Sequence, residues 1–193
     1  FTTIGKSNEC SVKLSKAPSE LTALEIPTQV TINNSNYYVT VIDTMAFENQ
    51  SKFSSVNLPE NLKTIKGRAF YKCTELTGEL IIPDDVTYIG NHAFYNCKNL
   101  TSLNFEQNSK LKTIGDNAFY NCSSFTGELI IPSSVISIGN YAFYLCTKFT
   151  ELSFEENSNL NTIGDYAFAG LYNGSSSDYR MEFTGELIIP SSI

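Results

Sequence analysis

Six times along this chain an alanine precedes a phenylalanine, at Ala46-Phe47, Ala69-Phe70, Ala93-Phe94, Ala118-Phe119, Ala142-Phe143 and Ala167-Phe168. The steps are 23, 24, 25, 24 and 25 residues, and five residues before each Phe stands an Ile: Ile42, Ile65, Ile89, Ile114, Ile138 and Ile163. A period in the twenties is the signature of a solenoid, in which one short unit cannot bury its apolar face alone and stacks on its neighbours. The ruler therefore predicts one elongated core with each repeated apolar residue forming a ladder along it.

Each unit has two halves. The first is a run such as "ELIIP" or "SLNFE", with Leu80/Ile82, Leu103/Phe105, Leu129/Ile131 and Leu152/Phe154 two apart, as in a short strand facing the core on alternate residues. The second half, "IGDNAFYNC", places Ile114, Ala118 and Cys122 at i, i+4 and i+8, which predicts a short helical turn. Gly90, Gly115, Gly139 and Gly164 follow the Ile and are expected to mark a tight bend. The fold class is thus an α/β repeat solenoid, with a parallel sheet on one face and short helical turns on the other.

A larger period overlies the first. "TGELIIP" recurs at Thr77–Pro83, Thr126–Pro132 and Thr184–Pro190, and the first two copies are 49 residues apart. The third arrives 58 residues on, so a Gly/Ser-rich insertion, Leu171–Tyr179 within "LYNGSSSDYRMEF", is expected as a surface loop. Residues 43–193 form the repeats, and residues 1–42 form an N-terminal cap in which "VTI" and "YYVTV" flank an Asn/Ser turn as a β-hairpin. The start lacks Met and any leader-like pattern, and "GELIIPSSI" stops inside a unit, so the chain reads as part of a longer protein.

At this point the unit C-x-x-L-x-x-x-L-x-I-P-x-x-V-x-x-I-G-x-x-A-F, spelled out from Cys73 to Phe94, resembles the BspA-like leucine-rich repeat, and the likeness runs from about Leu21 to Ile193. The resemblance implies a curved right-handed leucine-rich-repeat array on secreted or surface-attached proteins, mainly of mucosal and gut-dwelling anaerobes. It also implies adhesion to host matrix proteins and to other cells. No catalytic residue belongs to the motif. The chain departs from it at the insertion and at Gln50 and Leu171, which replace the repeating Cys.

The remaining chemistry is sparse. A net charge of -7, from 13 Lys+Arg against 20 Asp+Glu, argues against nucleic acid, whose phosphates need clustered cations. No apolar run approaches a membrane span. Cys73, Cys97, Cys122 and Cys146 each stand three residues after an Ala-Phe pair, without the close pairing a zinc site needs; they read as a ladder of buried thiols, with disulfides between neighbouring coils as the alternative, which side chains pointing the same way suit poorly. Cys10 has no counterpart in the repeat and reads as a cap residue. The lone His92 aligns with Met45, Arg68, Asn117, Tyr141 and Tyr166, a variable exposed position rather than a catalytic one. No cofactor motif and no metal site are expected, and the chain does not read as an enzyme. Tyr71, Tyr95, Tyr120 and Tyr144 form a further ladder, read as stacking beside the core in preference to a sugar platform. The N-x-S/T sequons at Asn33, Asn49, Asn99, Asn121 and Asn173 matter only in a source that glycosylates.

The outward sheet positions carry the functional expectation. Glu79, Ile81, Ser102, Asn104, Glu128, Ile130, Glu151, Ser153, Glu186 and Ile188 form two stripes, one largely acidic and one alternating Ile with small polar residues. Isoleucine exposed on every second coil suggests a repeated binding surface on a secreted or cell-surface microbial protein. The expected partners are host extracellular-matrix or cell-surface proteins, with glycans as a second class. The alternative is a structural spacer within a larger surface protein.

Overall fold

A computed structural model describes residues 2–3, 8–12 and 23–170. The third "TGELIIP", with Glu186 and Ile188, and the Leu171–Tyr179 insertion lie outside the described residues. The chain winds as a right-handed parallel β-solenoid of the leucine-rich-repeat kind. One side carries the strands Ala23–Glu25, Ser55–Asn57, Thr77–Ile82, Asn99–Phe105, Gly127–Ile131 and Phe149–Phe154. These pair only two by two, always in parallel.

The two-by-two pairing explains the 49-residue period. Gly78 and Gly127 have φ of 79° and 80°, a region open to glycine at no steric cost. Opposite them the partner strands slip register, between Leu100 and Ser102 and between Phe149 and Glu151. Each "TGE" strand thus faces a bulged partner, and one such plate joins the next by Thr126 N–H to the Thr101 carbonyl at 2.9 Å, without a continued ladder.

A second parallel sheet was not foreseen. The "TI" residues of each coil, Thr64–Ile65, Tyr88–Ile89, Thr113–Ile114, Ser137–Ile138 and Thr162–Ile163, are two-residue strands pairing coil to coil in register. They extend from Ser35–Ile42, which also forms an antiparallel hairpin with Gln29–Ile32. Asn33 and Asn34 turn this hairpin at φ of 50° and 62°, both in the left-handed region that a type I′ turn requires.

The third side corrects the expected helical turns: among the described residues there are no helices, and "AFYNC" is a run of β-turns. In each of the first five units two non-glycine residues four apart have positive φ, such as Arg68 (58°) and Lys72 (56°) or His92 and Asn96 (both 60°). An α-helix excludes such residues. Their effect is to divide the N–H groups. The N–H groups of Ala69, Tyr71 and Cys73 bond three residues back within the turn, at 3.2–3.3 Å. Those of Arg68, Phe70 and Lys72 instead reach the next coil, to the carbonyls of Asn91, Ala93 and Tyr95 at 2.7–3.0 Å. A helix would keep all its N–H groups internal and leave the coils unconnected on this side. The i, i+4, i+8 spacing marks burial, and tandem turns satisfy it as well as a helix does.

The glycines after each Ile likewise lie outside any turn or bend, and their φ values are not positive. They allow close approach: a Cβ on Gly115 would stand 2.4 Å from Asn91 Oδ1 and 2.7 Å from Asn91 N. Gly90, Gly139 and Gly164 are equally crowded by backbone of the preceding coil. In the first two coils the same column holds Asp43 and Lys66, whose side chains pair at 3.0 Å. From the next residue outward, Asn91, Asp116 and Asn140 each accept the N–H of Asp116, Asn140 and Asp165 at 2.7–3.0 Å.

The core is a set of ladders. Phe47, Phe70, Phe94, Phe119, Phe143 and Phe168 stack with centroids 5.0–5.4 Å apart and planes within 18°. Each such aromatic contact adds about 0.5–1.5 kcal/mol beyond the area it buries. Cys73, Cys97, Cys122 and Cys146 are buried free thiols. Each Sγ donates to the carbonyl of the Phe one coil back, Phe47, Phe70, Phe94 and Phe119, at 3.0–3.2 Å. Burial pushes the Cys73 thiol up to about 12 and raises those of Cys97 and Cys122 as well, so these groups stay protonated donors.

Two substitutions test this construction in opposite directions. Gly115→Ala forces two backbones apart and is expected to cost about 1–3 kcal/mol, read as a lowered denaturation midpoint. Leu145 holds φ of 63° where neighbouring coils place Asn96 and Asn121, whose side chains bond at 2.7 Å. Leu145→Asn relieves a left-handed non-Asn residue and extends that ladder, so a gain of about 0.5–1 kcal/mol is expected, raising the melting temperature by a few degrees.

Candidate functional site

The strand side places the sequence-derived residues on one outward face. Leu80, Ile82, Leu129 and Ile131 point in and are buried, with Leu103 and Leu152, while Phe105 and Phe154 are only half-buried. Outward stand Glu79, Ile81, Asn104, Glu128, Ile130 and Glu151, all exposed, with Ser102 and Ser153 half-exposed. Ile81 and Ile130 are 45% and 46% accessible, the most exposed isoleucines among the described residues, with Ile136 close behind at 44%.

Within each plate the acidic and polar residues hold one another. Asn104 donates its amide to Glu79, and Ser153 donates its hydroxyl to Glu128. Upstream, Asn57 does the same to Glu25, at 2.9 and 3.0 Å to its two oxygens. Sequence reading did not include Glu25 and Asn57; they extend the same outward face towards the N-terminus. The polar residue of each bulged strand thus serves to orient its partner's carboxylate, while the isoleucine of the "TGE" strand has no such task. The ion pairs of the described residues, Lys63–Glu9, Lys66–Asp43, Arg68–Glu48 and Lys110–Asp85, do not involve Glu79, Glu128 or Glu151. Among the described residues no three His, Cys, Asp or Glu side chains converge as metal ligands, and no helix is long and apolar enough to cross a membrane.

A second feature lies on the turn side. Tyr71, Tyr95, Tyr120 and Tyr144 stack at 5.0, 4.6 and 5.0 Å, each half-buried. Beside them runs the positive-φ column that contains His92. Against the expectation of a freely exposed position, His92 is half-buried, 5.5 Å from the Tyr95 ring and 6.3 Å from Tyr71. Burial and the Arg68 charge lower its pKa below 6.5, with Asp116 opposing. Arg68 covers Tyr71 at 4.4 Å, and Tyr141 stands edge-on to Tyr144 at 5.4 Å. Of the sequons, Asn33, Asn49 and Asn99 are exposed, whereas Asn121 is tied into the bond to Asn96; Asn173 lies outside the described residues.

Comparison with known proteins agrees with this architecture. The BspA type leucine rich repeat region matches in six copies over residues 19–126 and 68–184. The chain belongs to the BspA-type leucine-rich repeat family. Among solved structures it is similar to a leucine rich cell surface protein from Faecalibacterium prausnitzii A2-165, at 22% identity and a TM-score of 0.65, over 86% of this chain and 49% of that one. It is also similar to the T. pallidum leucine rich repeat protein, at 26% identity and a TM-score of 0.59, over 78% and 76% of the two chains. The pneumococcal vaccine antigen PcpA matches at 25% identity and a TM-score of 0.56, over 77% of this chain and 44% of that one. The chain therefore spans about half the length of the Faecalibacterium protein. Comparison with curated protein sequences gives no match.

His92 supplies a pH test of the turn side. Its folded pKa is depressed, so the stability it contributes is present above 6.5, where both states are neutral, and is lost as pH falls through the folded value. Thermal melts from pH 7 to pH 5 are expected to show falling stability. His92→Asn, the residue that Asn117 supplies one coil on, is expected to flatten that part of the profile.

Proposed function

We propose that this chain is a non-enzymatic, extracellular binding module of a microbial surface protein, and that it engages host-matrix or cell-surface macromolecules across the strand face. The observation that carries this reading is the exposed pair Ile81 and Ile130, set on successive plates among carboxylates held by Asn104 and Ser153. Exposed apolar side chains cost solubility, and their recurrence at one position of a rigid array gives a partner the same small contact more than once. Contacts of that kind, each weak, combine through effective concentration when one extended partner spans several coils. Glu79, Ile81, Ser102, Asn104, Glu128, Ile130, Glu151 and Ser153 are the contact residues on this reading. Glu186 and Ile188 would continue the stripes by sequence.

The extracellular placement draws on the likeness to a cell surface protein and a vaccine antigen. The absence of a catalytic role draws on a motif whose repeated residues are spent on core ladders and coil-to-coil bonds.

The test is binding of the soluble chain to immobilised matrix proteins, mucins and glycans, beside an Ile81→Lys/Ile130→Lys variant with an unchanged melting temperature. Both positions are solvent-facing, so folding is expected to survive. Saturable binding reduced about tenfold or more in the variant is the expected result. Undiminished binding by the variant would remove the strand face as the contact surface. Absence of binding throughout would make the chain a spacer that carries other parts of a surface protein.

A further inference from the structure

The positive-φ column on the turn side has one short member. In successive coils it holds Arg68, His92, Asn117, Tyr141 and Tyr166. Where the residue is long and planar it packs against its own coil's tyrosine or its column neighbour. Arg68 lies over Tyr71, His92 beside Tyr95, and Tyr141 stacks on Tyr166 at 5.2 Å with planes 12° apart. Asn117 is too short to do the same for Tyr120. The result is a concavity of about 390 Å³ lined by Tyr71, His92, Tyr95, Asn117, Tyr120 and Tyr141.

The dimensions follow from the coil spacing. His92 and Tyr141 are two coils apart, about 10 Å at the strand spacing of a parallel sheet. Rings in this column repeat at about one coil, so the gap over Asn117 is one ring thick. Its lining combines one imidazole with four phenols, and among these the Tyr95 and Tyr120 rings stack with centroids 4.6 Å apart.

We infer that this slot is a binding site for a single neutral pyranose unit of a glycan, taken between His92 and Tyr141 with its hydroxyls on the Asn117 carboxamide. Three properties select that chemistry. The lining carries no carboxylate and no Lys or Arg, and His92 is biased to its neutral form, so no ionic ligand is called for. The ring walls suit the flat C–H face of a sugar, since tyrosine combines an apolar face with a polar edge. The carboxamide offers two donors and an acceptor, with no hydrogen bond to it among the described residues. An aromatic side chain in the same slot would bury that amide without a partner, which is penalised, whereas vicinal hydroxyls satisfy it. The site is on a different side of the coil from the strand face and does not depend on the reading given to that face.

The experiment titrates the full chain with methyl glycosides of glucose, galactose and N-acetylglucosamine, reading tyrosine ring resonances by NMR. The chain has no Trp, so tyrosine emission provides a second readout. Saturable shifts of the Tyr95, Tyr120 and Tyr141 rings with at least one glycoside are expected. Asn117→Tyr refills the column with the residue that Tyr141 already holds at nearly the same φ, 55° against 56°, so the fold tolerates it. In that variant affinity is expected to fall about tenfold or more. No shift with any glycoside, or equal binding by Asn117→Tyr, overturns the assignment. So does preferential binding of N-acetyl-tyrosinamide over every glycoside, which would make the slot a receptor for aromatic side chains.

Discussion

Hydrogen bonding between coils stacked about 5 Å apart is the constraint on which the rest of this molecule depends. Every coil must offer N–H and carbonyl groups along the solenoid axis on all its sides, because stacking buries the backbone that lies between coils. The strand side does so by parallel plates and the "TI" side by a two-residue ladder. The turn side does so by left-handed residues that point alternate N–H groups at the next coil. These left-handed residues cost roughly 1–2 kcal/mol each for most side chains, and they persist because each one positions bonds and ring stacks that a helix would forgo.

The same spacing turns each repeated residue into a ladder. Phenylalanines stack in the core, thiols donate to the preceding coil's carbonyls, and glycines allow backbones to meet closer than a Cβ permits. It also sets the surface. Whatever stands outward is presented at coil intervals, so one exposed isoleucine per plate becomes a row and one short residue in an aromatic column becomes a slot. Binding capacity in such an array arises from breaks in uniformity: the bulge that makes alternate strands different, and Asn117 among longer neighbours.

Much of this was legible before any coordinates. The Ala-Phe ruler specified the coil, its length and its core, because burial at fixed intervals leaves a fixed interval in the sequence. Alternation in "ELIIP" gave the strand and its outward stripes, and the 49-residue period pointed to paired coils. The expected helical turn failed at a definite point. Helix and tandem turns can bury the same i, i+4, i+8 residues, and spacing records burial without recording φ. Asn at several positive-φ sites was a usable hint, but Arg68, His92 and Tyr141 in the same column concealed it.

The sequence by itself determined what is buried, how often, and therefore that the chain is a solenoid of the BspA-type repeat, since hydrophobic burial depends on residue type and period. Tertiary structure alone decided which N–H groups serve the neighbouring coil, why glycine follows isoleucine, and that His92 lies half-buried above a gap at Asn117. Those outcomes depend on distances between residues some twenty-five apart in the chain, and such distances exist only once the coils have stacked.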